Sequence, residues 1–499
     1  MVRWDRYWFA EGGRLAAAVL RVAIGVAVLC ALHRLDTHWP STAPGGGAHA
    51  IYRPVGIWMV FGHLVPADGV VSLLWVIAWA SGVAMLLGAW SRIATAVSLT
   101  SFLALASLSY SGGEAWSHPY NPILLAQVAF LGARGGDALS VDALIRHVRG
   151  LPPVNVARGY QWSIRLVQLA VALVFLSGMV HKLAGAGFTL KWITTDNLRN
   201  QILLRYDIAG APHPAIVDWI LADVWRYRTT AALSMISQTL PIFACVFVKR
   251  PVLRALCGAA FVMETIGLAV VMQYWNLEWV PLAVVFVDWD ALLAKIKPLP
   301  ATPAEGRPPR AAKIFVIGFV VFDLATTFLP QVDQKLNTYP FTRFAMFAKL
   351  RVDPPYDEHL PYSIPAGHFE IVSDPPINPA LLDSRHRSLY LTKSKDDLRA
   401  RLVAIFSDVR RMNPDAKVSA LRLYVAVLEV PAYPGTPLFV PRDIALLAEV
   451  TTEGGFTCKL DTAADAVTYY LDDSPEPHAD PIKDWSYQVA RDGWVVKRR

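Results

Sequence analysis

Charge is what this chain has least of: Asp, Glu, Lys and Arg make up 17% of its 499 residues, hydrophobic residues make up 54%, and the mean hydropathy is +0.36. Such a composition excludes one soluble core of this size and makes membrane embedding the default. Cysteine is also scarce. Of the four, Cys30, Cys245 and Cys257 fall in apolar runs and Cys458 stands alone, which excludes a disulfide framework. No HExxH, CxxC or phosphate-loop pattern occurs, and His147, His181 and His213 have no ligand partners at usable spacing, so no metal site is expected. The net charge of +7 calls for no nucleic acid, because attraction of loop Lys and Arg to anionic lipid accounts for it.

What the chain does have is apolar runs of membrane length. A bilayer core of about 30 Å needs roughly 20 apolar residues per helix. Such runs recur at about 14–33, 69–89, 92–111, 121–134, 163–181, 229–248, 254–274, 279–295 and 312–330, so nine spans are expected, the fourth of them short. The first is too long for a cleaved signal and lacks a small-residue cleavage site. Lys and Arg collect before the first span, after the fourth, after the sixth and after the eighth, while 112–120 and 275–278 hold none. The positive-inside rule then puts the N-terminus in the cytoplasm and residues 331–499 outside. The loops 34–68 and 182–228 carry Lys and Arg on the outer side against this trend.

The fold class expected is therefore an all-α polytopic membrane helix bundle of about nine spans with a C-terminal extracytoplasmic α+β domain. The Gly56–His63 stretch is weakly apolar and too short to cross, and reads as interfacial or re-entrant. The proline-rich run Pro298–Arg310 marks the clearest boundary. It divides the chain into a helical domain at 1–296, a linker at 297–311, a ninth span at 312–330 and an α+β domain at 331–499, with a polar helix at about 395–412 and strands at 421–430, 444–450, 466–471 and 485–489.

Three places could carry chemistry. In Ser117-His118-Pro119-Tyr120-Asn121-Pro122, Asn121 reads as an N-cap and Pro122 as the first helical residue, which leaves His118 just outside a helix start. The positive end of that helix favours a neutral ring; an interfacial histidine beside Trp116 and Tyr120 is the alternative. Lys182 ends the fifth span on the same outer side. It either snorkels to the headgroups or points inward, where desolvation makes a free amine available as a base. Glu264 sits in the middle of the seventh span, where a carboxyl must face the bundle interior, with Gln168 and Gln238 as candidate hydrogen-bonding partners. A structural clamp between helices is the alternative role. For Arg165, Asp288 and Asp290, near cytoplasmic span ends, interface anchoring is expected.

The motifs Trp116-Ser-His118, Ser140-Val-Asp142, Arg165-Leu-Val-Gln168 and Gly178-Met-Val-His181-Lys182-Leu183, with the turn Leu86-Leu-Gly88-Ala-Trp-Ser-Arg92, resemble the membrane domain shared by vitamin K-dependent gamma-glutamyl carboxylase and its bacterial relatives, the HTTM family. The resemblance covers about residues 14–295. It implies Lys182 as the catalytic base and His118 as its assisting residue, in a site for a vitamin K-type hydroquinone lined by His181, Gln168, Glu264 and Trp192. In that family the lysine deprotonates the hydroquinone, whose reaction with oxygen yields a stronger base, and carbon dioxide traps the resulting carbanion. His181 stands where the family has a second lysine, and the stretch after Leu183 lacks the family's acidic residues.

The resemblance thus implies an integral protein of a bacterial inner membrane, with lipid and quinone as partners, a peptide as possible substrate, and carboxylation or epoxidation as the reaction. Two other readings stay open from sequence. One is a non-catalytic scaffold or lipid-binding module that recruits a partner through its outer domain, with Lys182 and His118 on the lipid face. The other resembles the small quinone-linked redox subunits of the DoxX type.

Overall fold

The computed structural model describes residues 3–35, 52, 54–62, 64–111, 119–154, 158–209, 212–294, 310–332, 366–377, 395–428, 441–458, 485–490 and 493–498. His118, nearly all of the proline-rich linker and the strand expected at 466–471 lie outside the described residues.

The chain opens with α1 (Arg3–Trp8) and α2 (Arg14–Arg34), followed by a 3-10 helix at Gly56–Phe61. Then come α3 (Asp68–Leu87), α4 (Ser91–Ser111), α5 (Asn121–Phe130), α6 (Val141–Val148) and α7 (Gln161–Gly185). Three short helices, α8 (Lys191–Thr194), α9 (Asn197–Ala209) and α10 (Ala215–Leu221), lead into α11 (Val224–Phe243) and α12 (Pro251–Met272). A 3-10 helix at Leu277–Phe286, α13 (Trp289–Ala294) and α14 (Arg310–Val332) complete the helical part. Six of these, α2, α3, α4, α7, α12 and α14, are long and apolar enough to cross a membrane, consistent with an integral membrane protein.

The other three expected spans take different forms, each for a readable reason. Helix α5 has only ten residues, and Tyr120 rather than Asn121 is its cap, so Asn121 and Pro122 form the first turn. Helix α11 has twenty residues but starts Val-Trp-Arg-Tyr-Arg, and Arg226 and Arg228 lower its hydropathy. The eighth is the 3-10 helix Leu277–Phe286, with Pro281 inside it. Proline removes a helical N–H donor and clashes with the preceding turn, which disfavours a regular α-helix there.

That 3-10 segment, together with the residues that follow it as far as Asp290, runs alongside α2. At one end Arg34 Nη1 donates to Glu278 Oε2 at 2.6 Å, and at the other the Gly13 N–H donates to Asp290 Oδ2 at 2.7 Å. A 3-10 helix rises ~2.0 Å per residue against ~1.5 Å for an α-helix, so its ten residues span about 20 Å of the roughly 31 Å of α2, and residues 287–290 carry the chain on towards Gly13. The ends of α7 and α14 are fixed in the same frame. Lys313 Nζ, at the start of α14, donates to Asp5 Oδ2 of α1 at 2.6 Å, and Trp162 at the start of α7 meets Phe315 edge-on at 5.7 Å. Both helices therefore start at the N-terminal end of the bundle, and the last turn of α7 lies at the opposite end.

Helix α7 is the central element: 78% of its apolar window is buried, against 28% for α3 and 22% for α14, which lie at the edge. The turn that follows α3 is held from within. Gly88 adopts φ +71°, and a Cβ there would fall 1.9 Å from Arg21 Nη1, so only glycine fits. Arg21 is fully buried and donates to the carbonyls of Gly135 at 3.1 Å and Leu139 at 2.5 Å. Asp142 caps the start of α4 from another element, accepting from Trp90 N, Ser91 N and Ser91 Oγ at 2.8, 2.9 and 3.0 Å.

Beyond α14 lies a small antiparallel sheet in the order β1 (Ala366–Asp374), β2 (Ala420–Leu428), β3 (Pro441–Thr451), β4 (Phe456–Cys458), with α15 (Lys395–Met412) packed on it. Leu398, Leu402, Ile405 and Val409, spaced for one helix face, are buried against Leu421, Leu423, Leu447 and Val450. A separate hairpin pairs β5 (Trp485–Ala490) with β6 (Gly493–Arg498). The expected helix and the strands at 421–430, 444–450 and 485–489 are present within a residue or a few; β1, β4 and β6 were not anticipated.

Candidate functional site

The last turn of α7 is closed by a reverse turn in which Ala186 N bonds the Lys182 carbonyl at 3.1 Å and Phe188 N bonds the Leu183 carbonyl at 2.7 Å. That turn folds α8 back over the helix end and sets the Trp192 ring against Lys182. Lys182 is 1% exposed and its Nζ lies 4.3 Å from the Trp192 ring centroid; Trp192 is equally buried. The snorkelling lysine that sequence left open is therefore not what the bundle contains. Among the described residues no hydrogen bond or ion pair reaches Lys182, so its amine keeps its bonding capacity.

His181 turns inward too. It is 6% exposed, and its Nδ1 donates to the Ser177 carbonyl at 2.8 Å, the backbone acceptor fixing which nitrogen carries hydrogen. Glu264, on α12, is buried beside α11, where Ser234 Oγ, Ser237 Oγ and Gln238 Nε2 donate to its carboxyl at 2.7, 2.5 and 2.6 Å. It lies in the neighbourhood of Lys182 without a hydrogen bond or ion pair between them among the described residues. Gln238 was anticipated as a partner; the two serines were not, although Ser234, Ser237 and Gln238 share the spacing of one helix face.

Gln168 is placed differently from expectation. It lies fourteen residues before Lys182 on α7, roughly 21 Å along the axis. It is 2% exposed, does not bond Glu264, and its Nε2 has no hydrogen-bond partner among the described residues. A single small ligand cannot touch both Gln168 and Lys182. The cluster brought together is thus Lys182, Trp192 and His181, with Glu264 nearby.

A polar layer missed by sequence reasoning completes this end. Asn197, Arg199, Asn200 and Gln201 of α9 are all buried, and Arg199 Nη1 donates to Asn200 Oδ1 at 3.1 Å. Tyr206 OH bonds the Val270 carbonyl at 2.5 Å, tying α9 to the end of α12, and Tyr227 OH bonds Asp196 Oδ1 at 2.5 Å. The stretch 182–228, which broke the charge rule as a loop, is a folded cap whose charged residues are partly internal. At the same end Trp279 Nε1 donates to the Pro119 carbonyl at 2.6 Å, and Trp279 meets Phe175 of α7 edge-on at 5.9 Å.

The fold and the site define a class: a polytopic helical membrane protein with a lysine sealed inside one end of its bundle. Comparison of the chain with protein-family models, with curated proteins and with solved structures finds no match.

Proposed function

We propose that the chain is a membrane enzyme of the kind its sequence resembles, a relative of the vitamin K-dependent gamma-glutamyl carboxylase, in which Lys182 acts as base toward a lipid-soluble hydroquinone. The observation that supports this reading is the burial of Lys182, 1% exposed and facing an indole. A hydroquinone is flat and apolar and ends in a phenolic O–H. A buried amine beside an aromatic face offers both an acceptor for that proton and a surface for the ring. Lys182 Nζ takes the phenolic proton, and the ammonium so formed rests over Trp192, with Glu264 compensating its charge from a distance. Oxidation of the bound hydroquinone by oxygen, giving epoxide and water, supplies the strong base that prepares a peptide carbon for carboxylation. His118 is the proposed assisting residue, and His181 helps to close the site.

The same reading takes all nine apolar segments as membrane passes, with the N-terminus in the cytoplasm of a bacterium and the sheet domain outside. An odd number of passes separates the two, and the shared end of α1, α7 and α14 supports it. Backbone that is not α-helical is tolerated at membrane depth where protein surrounds it.

Purified protein in lipid should consume oxygen and form epoxide only when hydroquinone is supplied, and Lys182→Ala should abolish both while melting as the wild type does. An equal rate in that variant overturns the proposal and leaves a non-catalytic scaffold. For the topology, a membrane-impermeant maleimide should label Cys458 in spheroplasts, with Cys458→Ser as control; labelling only after lysis refutes the outer placement.

A further inference from the structure

At the N-terminal end of α7, opposite Lys182, lies a recess of about 220 Å³ that the proposed reaction does not use. This is several times the ~30 Å³ that a water occupies in the liquid. Arg165 lines it, 7% exposed, with only the Tyr7 ring 4.5 Å from its guanidinium carbon. No hydrogen bond from Arg165 is made to any described residue, and its buried Nε and Nη1 are unpartnered. The expectation that Arg165 anchors at the interface is therefore not met: it is an internal, unsatisfied guanidinium.

Its neighbours show what is missing. Arg254, also buried in the wall, has both terminal nitrogens engaged: its Nη1 donates to the Val248 carbonyl at 3.3 Å, its Nη2 to the Val287 carbonyl at 3.1 Å, and Asp288 Oδ2 lies 3.6 Å away, while only its Nε has no partner among the described residues. Asp290 uses Oδ2 to accept from Gly13 N, while its buried Oδ1 has no partner among the described residues. Exposed Glu11 stands at the rim. The recess thus holds open cationic donors, chiefly the guanidinium of Arg165 with Arg254 Nε beside it, and one open anionic acceptor, with Ile164 and Val285 as apolar wall between polar groups. A bare multivalent anion would meet Arg165 but be repelled by Asp288, Asp290 and Glu11. A buried unpaired guanidinium is costly unless a ligand completes it.

We propose that this recess binds a phosphate ester carrying a primary ammonium, the phosphoethanolamine group. The phosphate oxygens accept from Arg165, as guanidinium geometry favours, and the ammonium donates to Asp290 Oδ1. A trimethylated ammonium has no N–H to give. The same chemistry is offered by a phospholipid headgroup and by free phosphoethanolamine, and the site does not depend on the role of Lys182.

The test uses the full-length protein released from nanodiscs, with bound ligand counted by native mass spectrometry against dioleoyl phosphatidylethanolamine, phosphatidylcholine, phosphatidylglycerol, free phosphoethanolamine and inorganic phosphate. The wild type should retain one phosphatidylethanolamine, with phosphatidylcholine and phosphatidylglycerol held about tenfold more weakly. Arg165→Gln should lose about tenfold or more, and Asp290→Asn should erase the preference for phosphatidylethanolamine over phosphatidylglycerol. Binding of free phosphoethanolamine in preference to the lipid supports the same chemistry with a soluble source. Equal retention by Arg165→Gln, equal binding of phosphatidylcholine, or inorganic phosphate binding as well as phosphoethanolamine overturns the proposal. If Arg165→Gln does not fold, the ligand ranking of the wild type decides alone.

Discussion

The Glu264 cluster gives the sharpest test of how the two helices beside Lys182 are joined. Three side-chain donors of α11 reach its carboxyl, at 2.5 to 2.7 Å. Hydrogen bonds between membrane helices are worth ~0.6 kcal/mol on average and up to ~1.7, so three of them amount to about 2 to 5 kcal/mol. Glu264→Ala removes the shared acceptor and leaves three donors without it, those of Ser237 and Gln238 buried and that of Ser234 half-buried, and should cost that much. Glu264→Gln keeps the volume and one carbonyl oxygen; the serine hydroxyls can rotate to accept from its amide, so the cost should stay within about 1.5 kcal/mol. Unfolding of the purified protein in mild detergent, followed by titration with denaturing detergent, measures both. A double-mutant cycle sharpens the test. Ser237→Ala should destabilise the wild type by about 0.6 to 1.7 kcal/mol but do almost nothing once Glu264 is alanine, because the bond is already gone. Equal stability of wild type and Glu264→Ala, or additive effects of the two substitutions, would refute the clamp. Because Glu264→Gln is expected to stay folded, it also tests whether a carboxylate there matters to Lys182. Loss of hydroquinone-dependent turnover in that variant, without loss of stability, would assign Glu264 an electrostatic part beyond its clamp.

Other consequences follow from groups elsewhere in the fold. Asp142→Ala strips three acceptor contacts from the start of α4 and should cost about 2 kcal/mol, read as a lowered melting point; an unchanged melt would show the cap to be dispensable. Asp323, in α14, is fully buried with neither carboxyl oxygen bonded by any described residue, so Asp323→Leu should stabilise by about 1 to 3 kcal/mol. A destabilised Asp323→Leu protein would show that this carboxyl has a partner in the working protein. Leu402→Ala opens the contact between α15 and its sheet and should cost about 2 to 5 kcal/mol, read as faster proteolysis within 395–458 of the full chain; resistance equal to the wild type would refute that core.

How much of this was legible in the sequence depended on whether a signal was local. Apolar length revealed six of the long helices, because burial of a backbone in lipid demands it. The helix at 395–412 was legible to the residue from its polar and apolar spacing. The 3-10 form of Leu277–Phe286 was not, since Pro281 changes the rise per residue and not the hydropathy. Nor was the inward direction of Lys182 legible: α7 is apolar on every side, so its periodicity selects no face, and only the reverse turn that returns Trp192 decides it. Glu264 was expected to need partners, and Gln238 was among those named; Gln168 failed because it sits at another depth. The Arg165 recess was invisible because it is assembled from residues near positions 11, 165, 254 and 290, and no single stretch carries it.

The central helix explains why two polar sites can coexist in one bundle. Gln168, Phe175 and Lys182 are spaced by sevens on α7, a repeat that drifts only ~20° per step, so they form one nearly straight stripe. All three are buried. Phe175 occupies the middle of that stripe, 5.0 Å from Phe261 and 5.9 Å from Trp279, and Phe261 continues to Phe286 at 5.9 Å. Each of these rings is at most 1% exposed. These rings pack along the side of α7 that lies between Arg165 and Lys182. Lys182 lies two turns to one side of Phe175, and Arg165 lies nearly three turns to the other. Desolvation at the Lys182 end comes from its own surroundings, where Lys182 and Trp192 are each 1% exposed and in contact, and it is the condition a buried amine needs if it is to meet a proton donor from the lipid phase rather than from water.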